Sequence, residues 1–305
     1  MHMNGIIPLY KPRGMTSFDC IAKLRHILHT KKVGHSGTLD PNVDGVLPIC
    51  IGTATKVVPY LMASGKVYQG QVTLGFATTT EDLDGDEVSR QTLSQPFTAA
   101  AIQAAAATLT GEIQQTPPMY SAVKVRGRRL YEYARAGETV ERPTRTVTVD
   151  AFDLDGAGTF DAAAGTQTID FKIKCSKGTY VRTLAVDLGR QLGVPAVMAS
   201  LTRLKSGGFT LDQAVTLEAV SAAMAADTLD QVLRPIDYAL AGYPQVELSE
   251  RLWGLVRNGV FLTPEELPGQ TAPVLAFRYA GEIKCLYQWT AAKHAYKPLK
   301  MFAVN

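Results

Sequence analysis

The sequence predicts an α+β fold: a mixed, mainly antiparallel sheet with flanking helices, followed by a small β-rich unit at the C-terminus. Three observations carry that reading. Segments with strand-like alternation outnumber helical ones, and the two kinds do not alternate as regular βαβ units. Hydrophobic residues make up 46% and charged residues 19% of 305 positions, the balance of an ordinary globular chain long enough for two cores.

GIIPLY (5–10) reads as a short strand ending in the turn Lys11-Pro12-Arg13-Gly14. Thr16 or Ser17 then caps a helix whose apolar face is Cys20, Ile21, Leu24, Ile27 and Leu28. VGHSGTLDPNVDGVLP (33–48) follows neither period. Its glycines Gly34, Gly37 and Gly45 permit turns, and Pro41 pushes Asp40 towards an extended conformation, so the loop fixes a carboxylate in place. VYQGQVTLGF (67–76) alternates as a strand, and TAAAIQAAAATLTG (98–111) is a helix stopped by Gly111. TVTVDAFDL (146–154) and QTIDFKIKC (167–175) are strands around a turn-rich stretch. SKGTYVRTLAVDLGRQLG makes a turn, then a helix with Val181, Leu184, Ala185 and Leu188 on one face. A strand from Val197 to Phe209 and helices over 216–226 and 248–257 follow.

A composition shift after LRPIDYALAGYPQ (233–245) divides the chain into 1–244 and 245–305. The second unit holds a short helix, the turn LTPEELPGQTAP, and strands at VLAFRYAGEIKCLYQW and PLKMFAV. Met1-His2-Met3 is set aside as a cloning remnant. No apolar run approaches a membrane span and no signal-peptide layout is present, which points to a cytoplasmic protein.

Several chemistries are excluded. Cys20, Cys50, Cys175 and Cys285 lie far apart among apolar neighbours, so buried thiols are expected rather than a zinc ribbon or disulfides. His35, Ser36 and Asp40 are too close in sequence for a relay, and no G-x-S-x-G elbow occurs. His26, His29 and His35 lack a completing ligand at metal spacing. The acidic run 81–87 mimics a calcium loop, but Gly85 falls too early and Leu93 takes the place of the closing Glu, leaving a polar turn. No second acidic residue accompanies the main motifs as a catalytic pair.

Net charge is only +3, but it is unevenly spread. Basic residues cluster over Lys23–His35 and Lys124–Arg135, which suits either a polyanion or two solvated basic faces. In TPPMYSAVKVRGRRLYEYARAG (116–137) they interleave with Tyr120, Tyr131 and Tyr133, either as stacking rings for unpaired bases or as core aromatics.

KPRGMTS (11–17), GHSGTLDPNVDGVLP (34–48), SGKVYQG (64–70), SKGTYVRTLAVDLG (176–189) and LTRLKSGGF (201–209) occur in that order. Together they resemble the bacterial tRNA pseudouridine-55 synthases, the TruB family, over nearly the whole chain. Val43 and Thr202 depart from the family's usual Ala and basic residue.

The resemblance implies a catalytic domain over 1–244 with an inserted RNA-binding arm at about 112–145, and a PUA-like RNA-binding domain over 245–305. It implies Asp40 as the catalytic aspartate, Arg182 as the cation gripping it in fork geometry, and Tyr68 stacked on the target base. Tyr180 and Leu201 would line the pocket, Lys11 and Pro12 would brace its floor, and a solvated turn lysine is the alternative for Lys11. His35 would fill the gap left by an everted nucleotide. Lys56 and the arm residues Lys124, Arg126, Arg128 and Arg129 would neutralise phosphates. The implied activity is isomerisation of uridine 55 in the tRNA T-loop, by breaking N1–C1′ and rejoining the base through C5. The implied partner is the tRNA T-arm, with a monomeric enzyme and no obligatory protein partner. No metal or organic cofactor is expected, because the reaction is intramolecular and redox-neutral. A nucleosidase, which would want a second carboxyl, and a purely RNA-binding protein are the rival readings.

Overall fold

The computed structural model describes residues 3–302; Met1, His2 and residues 303–305, which include the last two of the expected strand PLKMFAV, lie outside the described residues. Its centre is a ten-stranded sheet. The main path runs Gly5–Lys11, Asp44–Ile51, Ala196–Ser206, Lys66–Leu74, Thr166–Cys175, Arg145–Leu154 and Gly111–Gln115. Neighbours along it are antiparallel except where Asp44–Ile51 meets Ala196–Ser206 in parallel. That junction sets the loop before Asp44 beside the C-terminal half of the strand Ala196–Ser206.

The alternation of the strands decides what faces what. Register places Ile173 and Arg203 on either side of Tyr68, and Phe171 and Leu201 on either side of Gly70. Lys66, Tyr68, Val72, Leu201 and Arg203 therefore point to one face. The helices Ala99–Ala107 and Val181–Gln191 pack on that face through Ile102, Leu184 and Leu188. The opposite face is polar, with Gln69, Asp170, Lys172 and Lys174 exposed. Helices Ser17–Ile27 and Leu217–Ala225 close a second core over Gly5–Lys11 and Asp44–Ile51.

Several expected elements differ. The stretch 33–48 is not loop throughout: Val33–His35 and Asp44–Ile51 are strands, leaving a short loop between them. Within the second of these strands, Pro48 sits opposite Pro8 in the ladder. The flanking N–H groups of Ile6 and Tyr10 point away from that ladder, to the carbonyls of Arg234 and Val215, so Pro8 forfeits no bond there. Similarly, Gly111 opens the strand Gly111–Gln115 rather than stopping the helix, which ends at Ala107 and is capped by Thr108.

A four-stranded sheet follows, ordered Gln245–Glu247, Val274–Tyr279, Glu282–Thr290 and Ala295–Met301. The expected long strand 274–289 folds into a hairpin at Ala280-Gly281, both at positive φ. Ala276, Ile283, Leu286 and Phe302 pack against Ile6, Val46, Leu61 and Leu240 of the larger unit, and Arg278 pairs with Asp237. Cys20, Cys50, Cys175 and Cys285 are all buried free thiols. None of the described helices is long and apolar enough to cross a membrane.

Candidate active site

Four cationic or hydroxyl side chains pin the loop that carries Asp40. Lys11 is fully buried, and its ammonium donates to the carbonyls of Pro12, Met15 and Pro41. Burial holds its pKa below the ordinary lysine value. A solvated turn lysine is thus ruled out. Ser17 Oγ donates to the Leu39 carbonyl at 3.2 Å and accepts the Leu39 N–H at 2.9 Å. Arg203 donates from Nε to the Val46 carbonyl at 2.8 Å and from Nη2 to the Gly37 carbonyl at 3.0 Å. The fourth is Arg182, on the carboxylate itself.

Backbone space fixes the loop as tightly as these bonds do. Gly45 has φ +113°, and a Cβ there would lie 2.2 Å from the Arg203 carbonyl oxygen. Only glycine lets the strand Asp44–Ile51 approach Ala196–Ser206 so closely. Asp44 itself accepts from Thr202 Oγ1 at 2.6 Å and Tyr10 Oη at 3.0 Å, with Arg13 3.4 Å away. The departure at Thr202 is accommodated in this network.

Arg182 sits in the first turn of the helix Val181–Gln191 and is only 6% exposed. Its Nε lies 3.0 Å from Asp40 Oδ2 and 3.6 Å from Asp82 Oδ2. Nη1 donates to the Thr80 carbonyl at 2.7 Å and Nη2 to the Tyr120 carbonyl at 2.9 Å. The expected two-pronged grip on Asp40 is therefore absent. One nitrogen meets the carboxylate, because the other two are committed to carbonyls. Asp40 keeps 42% of its side chain exposed and opens on the cavity.

The acidic run is more than a polar turn. Glu81 and Asp82 fold back against the helix: Glu81 accepts from Thr183 Oγ1 at 2.8 Å, while Asp82 accepts from Thr80 Oγ1 and the Asp84 N–H. Asp82 is 13% exposed, and burial raises its pKa despite Arg182 and the Thr80 hydroxyl. A second carboxylate thus shares the Arg182 nitrogen with Asp40. Sequence spacing hid it, because it stands a hundred positions before Arg182.

The cavity above Asp40 has a volume of about 290 Å³ and is lined by Tyr68, Tyr180, Leu201, Lys66, Arg203 and Ser121 among others. Tyr68 is almost wholly buried and stands opposite Arg203 in the ladder. Burial raises the phenol's pKa, so it stays protonated at neutral pH. Arg145 lies over the Tyr180 ring, its carbon 5.0 Å from the centroid. Arg203 and Lys66 were not singled out from the sequence. Their signal was alternation: each is two residues from a named pocket residue, Leu201 and Tyr68, and so shares its face.

The remaining candidates lie further out. Pro12 gives its carbonyl to Lys11, and His35 ends the strand Val33–His35 at the loop's start. Burial and Arg203 lower the His35 pKa, leaving a neutral ring. Lys56 is exposed, and its ammonium also donates to the Met301 and Phe302 carbonyls, both at 3.1 Å. Lys124 and Arg129 pair in a two-residue ladder with Val125 and Arg128, turned by Arg126 and Gly127 at positive φ. Arg128 pairs with Glu138 at 2.9 Å and lies over the Tyr133 ring. Tyr133 is buried, its hydroxyl on the Val125 carbonyl, so it is core of the arm rather than a stacking surface. Among the described residues no cluster of ligating side chains has metal-site geometry.

Lys66 gives a test of this electrostatic layout. Its ammonium donates to the Met62 and Ser64 carbonyls, and burial, with Arg203 nearby, lowers its pKa to about 8. Below pH 8 the folded and unfolded chains both hold the proton, and the folded chain bears the full cost of the buried charge. From about pH 8 to the ordinary lysine value the unfolded chain binds more protons, so this cost is relieved as pH rises. Urea melts of wild type and Lys66→Met from pH 7 to 10.5 should therefore show wild type gaining stability relative to the variant. A constant difference across that range would contradict the assignment.

Residues 25–181 match the model for the N-terminal domain of TruB family pseudouridylate synthases, and residues 182–241 match the tRNA pseudouridylate synthase B C-terminal domain. The tRNA pseudouridine synthase B of Levilactobacillus brevis is 77% identical over 303 residues, 99% of this chain and 100% of that protein. The enzyme of the same name from Lactiplantibacillus plantarum is 62% identical over 307 residues, again 99% and 100% of the two chains. Among solved structures, a chain of a Cbf5-Nop10-Gar1 complex superposes with a TM-score of 0.72 at 26% identity, covering 98% of this chain and 85% of that one. The chain belongs to the TruB family of pseudouridylate synthases.

Proposed function

We propose that this enzyme acts on tRNA, converting uridine 55 of the T-loop to pseudouridine. The observation that carries the reading is Asp40, a half-exposed carboxylate held by a buried arginine at the mouth of a base-sized cavity beneath Tyr68. The relatives' name supplies the substrate class.

A uridine in a duplex cannot present C1′ to a buried-edge carboxylate, so the nucleotide must turn outwards, which is cheapest in a loop. Neutral His35, at the loop's entrance, takes the space it vacates. The base enters against Tyr68 and Leu201. Asp40, oriented by Arg182, either attacks C1′ or removes the C2′ proton; both routes break N1–C1′ and release an anionic uracil. Lys66 and Arg203, on the same sheet face as Tyr68, supply positive charge around that anion. The base turns and rejoins C1′ through C5, displacing Asp40 or, on the second route, as Asp40 returns the proton to C2′. The C5 proton then leaves, with the Tyr68 hydroxyl as a relay, and N1 is protonated. The C-terminal sheet, read as a PUA-like domain over 245–305, and the arm at 112–145 hold the rest of the RNA. The reaction needs no second macromolecule, and a monomer in the cytoplasm suffices for it.

Unmodified tRNA with tritium at uridine C5 tests this. Wild type should release tritium, and Asp40→Asn should bind the tRNA equally while releasing it at least about a thousandfold more slowly. Binding without release by either protein would leave an RNA-binding protein, and free uracil a nucleosidase.

The arm makes a separate expectation. Lys124 and Arg126 are exposed, whereas Arg128 is already paired with Glu138. Lys124→Ala and Arg126→Ala should each reduce the slope of log K against log salt by about one, and Arg128→Ala by less. Equal slopes for all three would show that the internal pair does not matter.

A further inference from the structure

We propose that Phe18 is a nucleobase-stacking residue for the RNA loop, an inference that rests on the reading above. Its ring is 61% exposed, more than any other large apolar side chain among the described residues. Helix periodicity explains why it points outwards: Ser17, Cys20, Ile21 and Leu24 face the core. It does not explain why a phenyl ring, rather than a polar side chain, stands at an outward position.

Three observations place that ring at the site. The capping box between Thr16 and Asp19 fixes the first helical turn that carries it. Its neighbour Ser17 is bonded in both directions to the backbone of Leu39, the residue before Asp40. The ring itself meets His35 edge-on, with centroids 5.8 Å apart. Phe18 is thus fixed to the catalytic loop and shares its rim with the imidazole that starts it.

The surrounding charge selects the occupant. Lys23, Arg25 and His26 are exposed on the same helix, and Lys31 and Lys32 are exposed just beyond it. A phosphate backbone running along that basic surface would set one of its bases over the ring. Any of the four bases presents a π-face, so the contact grips an unstacked loop base without reading its identity. Edge-on contact with His35 leaves a ring face for it.

The test is a cycle between protein and RNA. Phe18→Ala should raise KM for the T-arm about five- to twentyfold, with the larger part of the loss in KM rather than kcat. Phe18→Trp should restore it, and Phe18→Leu should not. An abasic nucleotide is then moved through the loop, one position at a time. At one position, the difference between wild type and Phe18→Ala should vanish. A penalty unchanged on every abasic RNA, or full rescue by leucine, would overturn the stacking role. So would an unchanged KM in Phe18→Ala, while tritium release by wild type keeps that failure distinct from failure of the synthase reading.

Discussion

A guanidinium that is only 6% exposed must have its N–H groups satisfied, and in this fold that requirement ties distant stretches of chain together at Arg182. The Asp40 loop, the acidic turn through Thr80 and Asp82, and the arm through Tyr120 all converge on one side chain. Removing any partner leaves a buried charge short of a bond, which costs more than the bond itself is worth. The helix Val181–Gln191 holds the hub still, because Val181, Leu184 and Leu188 bury its other face in the main core.

The geometry around that hub divides labour between two carboxylates. Asp82 is enclosed, with Oδ1 accepting from Thr80 and Asp84 and Oδ2 lying 3.6 Å from Arg182 Nε. Asp40 receives one contact from Arg182 and remains 42% exposed, so an oxygen is left to meet a substrate. A two-pronged grip would have spent both oxygens. The cations Lys66 and Arg203 complete the field from the sheet beneath, where alternation aims them at the same cavity as Tyr68.

Much of this was legible in the sequence, for definite reasons. Asp40 was readable because glycines and Pro41 leave a loop no other use for a carboxylate, and the ordered motifs brought Tyr68 and Arg182 with it. Gly45 was readable as a turn; that a Cβ there would lie 2.2 Å from a carbonyl oxygen of the neighbouring strand was not. The strands flanking the loop were missed because the stretch 33–48 follows neither period and its glycines read as turns. Asp82 was missed because acidic turns are usually solvated, and only the tertiary fold presses this one onto a helix start. Lys56 is exposed as its basic character suggests, but its contacts with the Met301 and Phe302 carbonyls were not legible in the sequence. Local pattern identifies which residues are constrained, whereas pairing across the sheet decides what they touch.

In this proposal Arg182 orients the carboxylate that does the chemistry. The most direct measurement is the single-turnover rate of Arg182→Lys on saturating tRNA, alongside its tRNA affinity. Lysine keeps the charge but cannot serve two carbonyls and a carboxylate in one plane. The account expects the rate to fall by at least about a hundredfold with affinity within about threefold of wild type. A rate close to wild type, or a loss of rate that merely follows a loss of binding, would contradict it.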